Sequence, residues 1–170
     1  MPQEAISKTQ NLELTAPEKL TDNHDFSGFD CGEMSINEYG KRAHKAQLAK
    51  DAVVYVVCLK GTSTVVAFYT LTNGSVMRSE APKAMQRNAP SQYPVTILGR
   101  LGVDKSIQGR GIAKALLQDA IERTLLAAEV IGSRAMLVHA LDERLATFYQ
   151  KNAGFVPSSV SPLTLMLSLK

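Results

Sequence analysis

Residues 98–125, LGRLGVDKSIQGRGIAKALLQDAIERTL, constrain the fold more than any other stretch of the chain. A strand-like apolar run is followed by a polar loop, then Gly109 and Gly111, then a long segment whose apolar residues recur about every 3.6 positions. Ile112, Ala113, Leu116, Leu117, Ala120, Ile121 and Thr124 share one face, whereas Lys114, Gln118, Asp119 and Glu122 lie off it. This predicts a helix from Ile112 to about Val130, with Gly132 as its stop. A helix entered through glycines presents its first, unbonded N–H groups to whatever the loop holds. Those amides and the helix dipole favour an anion, and glycine lets that anion come close to the backbone. The competing reading is a loop whose glycines only turn the chain.

The common nucleotide loops do not fit. A Walker loop needs GxxxxGK[ST], which is absent from the chain. A dinucleotide loop needs GxGxxG/A, but the sixth position counted from Gly109 is Lys114. What remains is Gln108-Gly109-Arg110-Gly111-Ile112-Ala113, a QxxGxA pattern at a helix start.

Around this unit, strand and helix signals alternate. Residues 12–15 read as a short first strand. FDCGEMSINEYGKRAHKAQLA reads as a turn and then a helix from about Met34, with Asp30 or Gly32 near its start. Gly40 within it is unfavourable by about 1 kcal/mol relative to alanine. VVYVVCL (53–59) and VVAFYTLTNGSV (65–76) are β-rich, with KGTST as the turn between them. Residues 81–94 carry prolines and read as a loop with one helical turn, and 95–103 as the next strand. RAMLVHA (134–140) is a buried strand, DERLATFYQKN a short helix ending at Ala153-Gly154, and GFVP with TLMLSL (164–169) a closing hairpin. The class is α/β or α+β around a mixed sheet.

Length and composition suit one domain spanning 1–170, with 1–11 expected to be disordered. The chain is 45% hydrophobic and 21% charged, so global disorder is excluded. No run approaches the roughly 18 apolar residues of a membrane span, and the N-terminus lacks a secretory pattern. Cys31 and Cys58 have no metal-type spacing and read as reduced thiols of a cytoplasmic protein; no metal is expected. The net charge of +3 is uneven, with eight acids against two bases over residues 1–40 and eight against seventeen beyond. Bases cluster at KRAHKAQLAK (41–50) and across Arg78, Lys83, Arg87 and Arg100. This asymmetry fits either a nucleic-acid surface or ordinary solvated faces.

LGRLGVDKSIQGRGIAKALL resembles the acetyl-CoA signature of the GNAT N-acetyltransferases, and ATFYQKNAGF (146–155) resembles that family's AxxFYxxxGF element. The resemblance implies a single GNAT-like domain with a mixed twisted sheet of about six to seven strands and about four helices. It implies that acetyl-CoA is held by Gln108, Gly109, Arg110, Gly111, Ile112, Ala113 and Lys114 at its pyrophosphate. The pantetheine arm would run along the backbone of Leu101, Gly102 and Val103, as an added strand does. Phe148 would lie near the thioester, and Tyr149 would be the general acid. Without the resemblance, a tyrosine on an apolar helix face reads as core packing.

FDCGEMSINEY, YTLTNGSV and AMLVHALDERLATFYQKNAGF, together with the loop, look like the GNAT toxins of type II toxin–antitoxin systems, the TacT/AtaT kind. That likeness implies acetylation of the α-amino group of aminoacyl-tRNA and a block to translation. It implies a ribbon-helix-helix antitoxin as partner, operator DNA bound only through that antitoxin, and a homodimer. Gly40 departs from the pattern, where a leucine-like residue is expected after the aromatic.

The chemistry agrees on independent grounds. An α-amino group has a pKa of about 7.7–8.0 and a lysine about 10.4, so only the lysine needs a strong base near neutral pH. His139, Asp142 and Glu143 are the nearest candidates for a base, but a sheet-end histidine and helix N-terminal acids explain them as well. That favours an α-amino acceptor. Arg78, Lys83, Arg87 and Arg100 are the candidate tRNA contacts, with Lys41, Arg42 and Lys45 behind them. A small amine or a protein N-terminus as acceptor, and a non-catalytic binding module, are the alternatives.

Overall fold

The expected alternation of strands and helices is present in a computed structural model, which describes residues 13–170. In chain order the elements are β1 (Glu18–Lys19), α1 (Met34–Leu48), β2 (Val53–Cys58), β3 (Val65–Met77), α2 (Lys83–Gln86), β4 (Gln92–Val103), α3 (Ile112–Val130), β5 (Ala135–His139), α4 (Glu143–Ala153), β6 (Val156–Pro157) and β7 (Thr164–Ser168). The seven strands form one sheet in the order β1-β2-β3-β4-β5-β7-β6. It is mixed: β4 and β5 run parallel, whereas β1 with β2, and β7 with both β5 and β6, are antiparallel.

The helix bounds expected at 34, 112, 130 and 153 are those observed. Three readings need correction. Among the described residues the first strand lies at Glu18–Lys19, and Leu14 makes an isolated bridge with Leu59; residue 12 and the expected disorder of 1–11 lie outside the described residues. β4 begins at Gln92 and runs through Pro94, because Pro94 needs only to accept, and its carbonyl takes the Arg134 N–H at 3.0 Å. Gly132 follows α3 without adopting a positive φ, whereas Gly154 does cap α4 at φ 75°.

The chain divides into two compact units. One comprises the residues up to Thr70 with Arg100–Leu116. Its core is aromatic: Phe26 and Phe29 meet Phe68 edge-on at 5.1 and 5.3 Å between ring centroids, and Tyr39 stacks on Phe68. Ile36, Tyr39, Gly40, Ala43 and Ala46 form the buried stripe of α1. The other unit comprises Leu71–Gly99 with Leu117–Lys170. Its core gathers Tyr93, Val95, Ala135, Leu137 and Met166 from β4, β5 and β7, closed by Ala81, Met85 and Ala89.

Candidate active site

In the first unit, the C-terminal part of β4 delivers the chain to the glycine loop. Pairing of β4 with β5 runs from Val95↔Ala135 to Leu98↔Val138, yet β4 continues to Val103. Leu101, Gly102 and Val103 therefore lie beyond the last residue that β5 pairs with. A strand that outruns its neighbour offers backbone donors and acceptors to a ligand laid alongside. Gly102 is glycine for a packing reason, since a Cβ there would lie 2.7 Å from Cγ2 of Ile36 and 3.2 Å from Cζ of Phe29.

Asp104 then caps a short turn over Lys105–Ile107, accepting from Ser106 N–H at 3.0 Å, and Ile107 is fully buried beneath it. Gly109 and Gly111 have φ of 80° and 76°, values that favour glycine, and a Cβ at either would meet only open space. The loop is thus an open cradle shaped by its backbone. α3 follows at Ile112 with no acid in its first turn, so nothing of its own opposes an anion at the orphan amides of Ile112, Ala113 and Lys114. Arg110 and Lys114 are exposed beside the cradle. The N-terminus of α4 differs, because Asp142 already accepts from Leu145 N–H at 2.9 Å and Glu143 sits in the first turn.

Gln108 has a side-chain partner set of its own, apart from any contact its backbone makes. Its side-chain amide donates to the carbonyls of Val103 and Cys31, each at 2.9 Å, so the side chain faces the protein and not the cradle.

Arg100 extends over the ring of Tyr39, 5.0 Å from its centroid, and Arg42 approaches the same ring at 5.6 Å. Burial pushes the Tyr39 hydroxyl pKa up, against a downward pull from Arg100. Two guanidinium groups therefore converge on one aromatic ring, a pairing that their separation in sequence conceals.

In the second unit, α4 carries Phe148 and Tyr149, whose rings meet edge-on at 5.3 Å. Tyr149 is buried against Phe148 and Phe155, and burial pushes its pKa up to about 12. Its hydroxyl makes no hydrogen bond among the described residues, and burial keeps it protonated at neutral pH. Of the candidate bases, Asp142 caps α4, Glu143 lies in the first turn of that helix, and Nδ1 of His139 meets Thr164 Oγ1 at 3.1 Å. Arg78 donates Nη1–H to the buried Ala89 carbonyl at 2.8 Å and so fastens its own loop, while Lys83 and Arg87 are exposed.

Among the described residues, one group combines metal-type ligands, with atoms of Glu18, His24 and Cys58 within 4.8 Å of one another. His24 Nδ1 accepts the Thr21 N–H at 2.8 Å, which puts the ring proton on Nε2, facing Glu18 Oε1 at 2.9 Å. The lone pair a metal would need is on the wrong nitrogen, so the trio reads as a hydrogen-bonded edge of β1 and β2. No helix of the described residues is long and apolar enough to cross a membrane.

The model of the acetyltransferase (GNAT) family matches residues 21–155. A tRNA-acetylating toxin of Mycobacterium tuberculosis (strain ATCC 25618 / H37Rv) is 42% identical over 157 residues, covering 92% of this chain and 93% of that protein. AtaT complexed with acetyl-methionyl-tRNAfMet superposes with a TM-score of 0.84 at 31% identity, covering 92% of this chain and 95% of that one. A tyrosine-to-phenylalanine mutant of the AtaT toxin, bound to the C-terminus of the antitoxin AtaR and acetyl-CoA, superposes with a TM-score of 0.75 at 29% identity, covering 92% of this chain and 94% of that one.

Proposed function

Because this chain belongs to the acetyltransferase (GNAT) family and is an acetyl-CoA-dependent acetyltransferase, we propose that it acetylates the α-amino group of aminoacyl-tRNA and thereby stops translation as a toxin. The observation that carries the chemistry is that β4 outruns its pairing with β5 and ends in an open, positive-φ glycine cradle. The acceptor rests on the 42% identity to a tRNA-acetylating toxin across nearly the whole chain.

In this reading the amides from Gly109 to Lys114 take the pyrophosphate of acetyl-CoA, and the backbone of Leu101 to Val103 pairs with the pantetheine arm. A backbone N–H of that stretch polarises the thioester carbonyl. The neutral α-amine attacks the carbonyl carbon, forming the C–N bond, and the addition intermediate loses one amine proton to solvent. The C–S bond then breaks, and Tyr149 gives its proton to the departing sulfur before regaining one from solvent. No dedicated base is needed, because the α-amine is substantially neutral near pH 8.

Lys83 and Arg87, with Arg42 and Arg100, supply the positive field for an acceptor stem. An antitoxin chain neutralises the enzyme, as AtaR partners AtaT. The enzyme acts as a cytoplasmic homodimer. Mass spectrometry of a total aminoacyl-tRNA pool, after reaction with labelled acetyl-CoA, is the test. Label on the aminoacyl α-nitrogen is the expected result. An unlabelled pool, with label appearing on small amines or protein N-termini, would overturn it.

A further inference from the structure

The turn that precedes α1 is tied to the glycine loop by a dense set of polar contacts, although 77 residues separate Cys31 from Gln108. Asp30 is the hub. Its Oδ1 accepts from Gly32 N–H and from Asn37 Nδ2, each at 2.9 Å, and so sets the shape of the turn at Gly32, where φ is 92°. The Asp30 N–H donates to Asp104 Oδ1 at 2.9 Å, and the Asp30 carbonyl accepts from Lys105 N–H at 2.9 Å. Lys105 Nζ lies 3.5 Å from Asp30 Oδ2. Asn37 Oδ1 accepts from Cys31 N–H at 2.9 Å, which orients the Cys31 carbonyl that Gln108 grips. With its second amide hydrogen Gln108 grips Val103, the last residue of β4.

These contacts bracket the cradle on the side where it leaves β4. Beyond the buried Ile107, the two glycines add no packing of their own, since a Cβ at Gly109 or Gly111 would meet only open space. A loop with two positive-φ glycines has many alternatives, and fixing its entry removes most of them before a ligand arrives. We propose that Asp30 and Gln108 are positioning residues that hold the 104–111 loop in its pyrophosphate-binding shape. This rests on the reading of that loop as the acetyl-CoA site. Asp30 acts through the turn and Gln108 through two carbonyls. Gln108→Arg can still donate two hydrogen bonds, whereas Gln108→Glu can donate none and sets a carboxylate against both carbonyls.

The full-length chain and its variants are titrated calorimetrically with acetyl-CoA, and backbone amide exchange is followed in the absence of ligand. Asp30→Ala and Gln108→Glu are expected to weaken acetyl-CoA binding by about fivefold to tenfold, the effect of about one net hydrogen bond. Faster exchange is expected in segment 104–113, with β5 and α4 unchanged. Gln108→Arg is expected to retain parental affinity. Parental affinity in Asp30→Ala and Gln108→Glu, or faster exchange spread over the whole chain, would overturn the proposal. Should Asp30→Ala fail to fold, the contrast between the two Gln108 variants decides alone. If the parent itself does not bind acetyl-CoA, the reading of the loop fails, a result distinct from a parent that binds and variants that match it.

Discussion

A Cβ placed on Gly40 would lie 2.9 Å from Cδ1 of Phe26. Phe26 cannot retreat, because its ring is wedged edge-on against both Phe29 and Phe68. Gly40→Ala should gain about 1 kcal/mol of helix propensity and lose about 1–3 kcal/mol to overpacking, for a net loss of stability. Gly40→Leu, the residue type expected from related chains, should lose more. Urea unfolding checks this. Combining Gly40→Ala with Phe26→Leu should cost less than the sum of the two single changes; strict additivity would show that the ring does not impose the glycine.

What the sequence disclosed was local, and what it hid was long-range. The glycine loop and α3 were legible because positive-φ glycines and a helical apolar stripe are written in neighbouring residues. The α4 cap at Asp142 and the stop at Gly154 were legible for the same reason. Gly40 reads as a defect because the ring that requires it comes from another segment. The start of β4 is read too late because Pro94 looks like a loop residue until Arg134 is seen donating to its carbonyl. Gln108 sits in the right motif, but its hold on Cys31 has no signature in the motif. The convergence of Arg42 and Arg100 on Tyr39 is likewise invisible, since it depends on α1 packing where β4 ends.

Tyr149→Phe should fold like the parent, because the hydroxyl makes no hydrogen bond among the described residues. Turnover should fall by about a hundredfold to ten-thousandfold, the usual worth of a positioned proton donor. A variant with parental single-turnover rates would remove the acid role.

The raised pKa of Tyr149 also has a consequence for alkaline stability. A folded value of about 12 lies above the ordinary 10, so its contribution is present below pH 10 and is lost as the pH rises towards 12. The parent should therefore lose on the order of 2 kcal/mol across that window relative to Tyr149→Phe. Urea unfolding of both chains from pH 9 to about 11.5 would reveal this, and parallel curves would contradict it. Between about pH 6 and 10 the rate should rise with the neutral α-amine and show no descending limb from Tyr149.

Gly109→Ala and Gly111→Ala isolate conformation from sterics. An added methyl meets nothing at either position, so any loss comes from holding alanine at a positive φ. That strain is about 1–2 kcal/mol per residue, and the loop should relieve it by changing shape. Acetyl-CoA affinity should fall about tenfold while thermal stability changes little. Unaltered affinity, measured calorimetrically, would mean that the cradle's shape is not what binds.

The basic residues should separate into two groups under mutation. Arg78 holds the Ala89 carbonyl, which is buried, so Arg78→Ala leaves that oxygen without its guanidinium partner at about 1–3 kcal/mol. Its effect should appear as a lowered Tm, with the salt dependence of tRNA acetylation unchanged. Lys83 and Arg87 are exposed, and substituting them with glutamine should leave Tm within error. Each should weaken the apparent affinity for charged tRNA and reduce the slope of log affinity against log salt by about one. Arg100→Gln should combine both effects, because it gives up the Tyr39 ring as well as a charge. Kinetics from low to moderate salt, set beside melting curves, distinguish the groups. A salt slope indifferent to Lys83 and Arg87 would move the RNA surface away from α2.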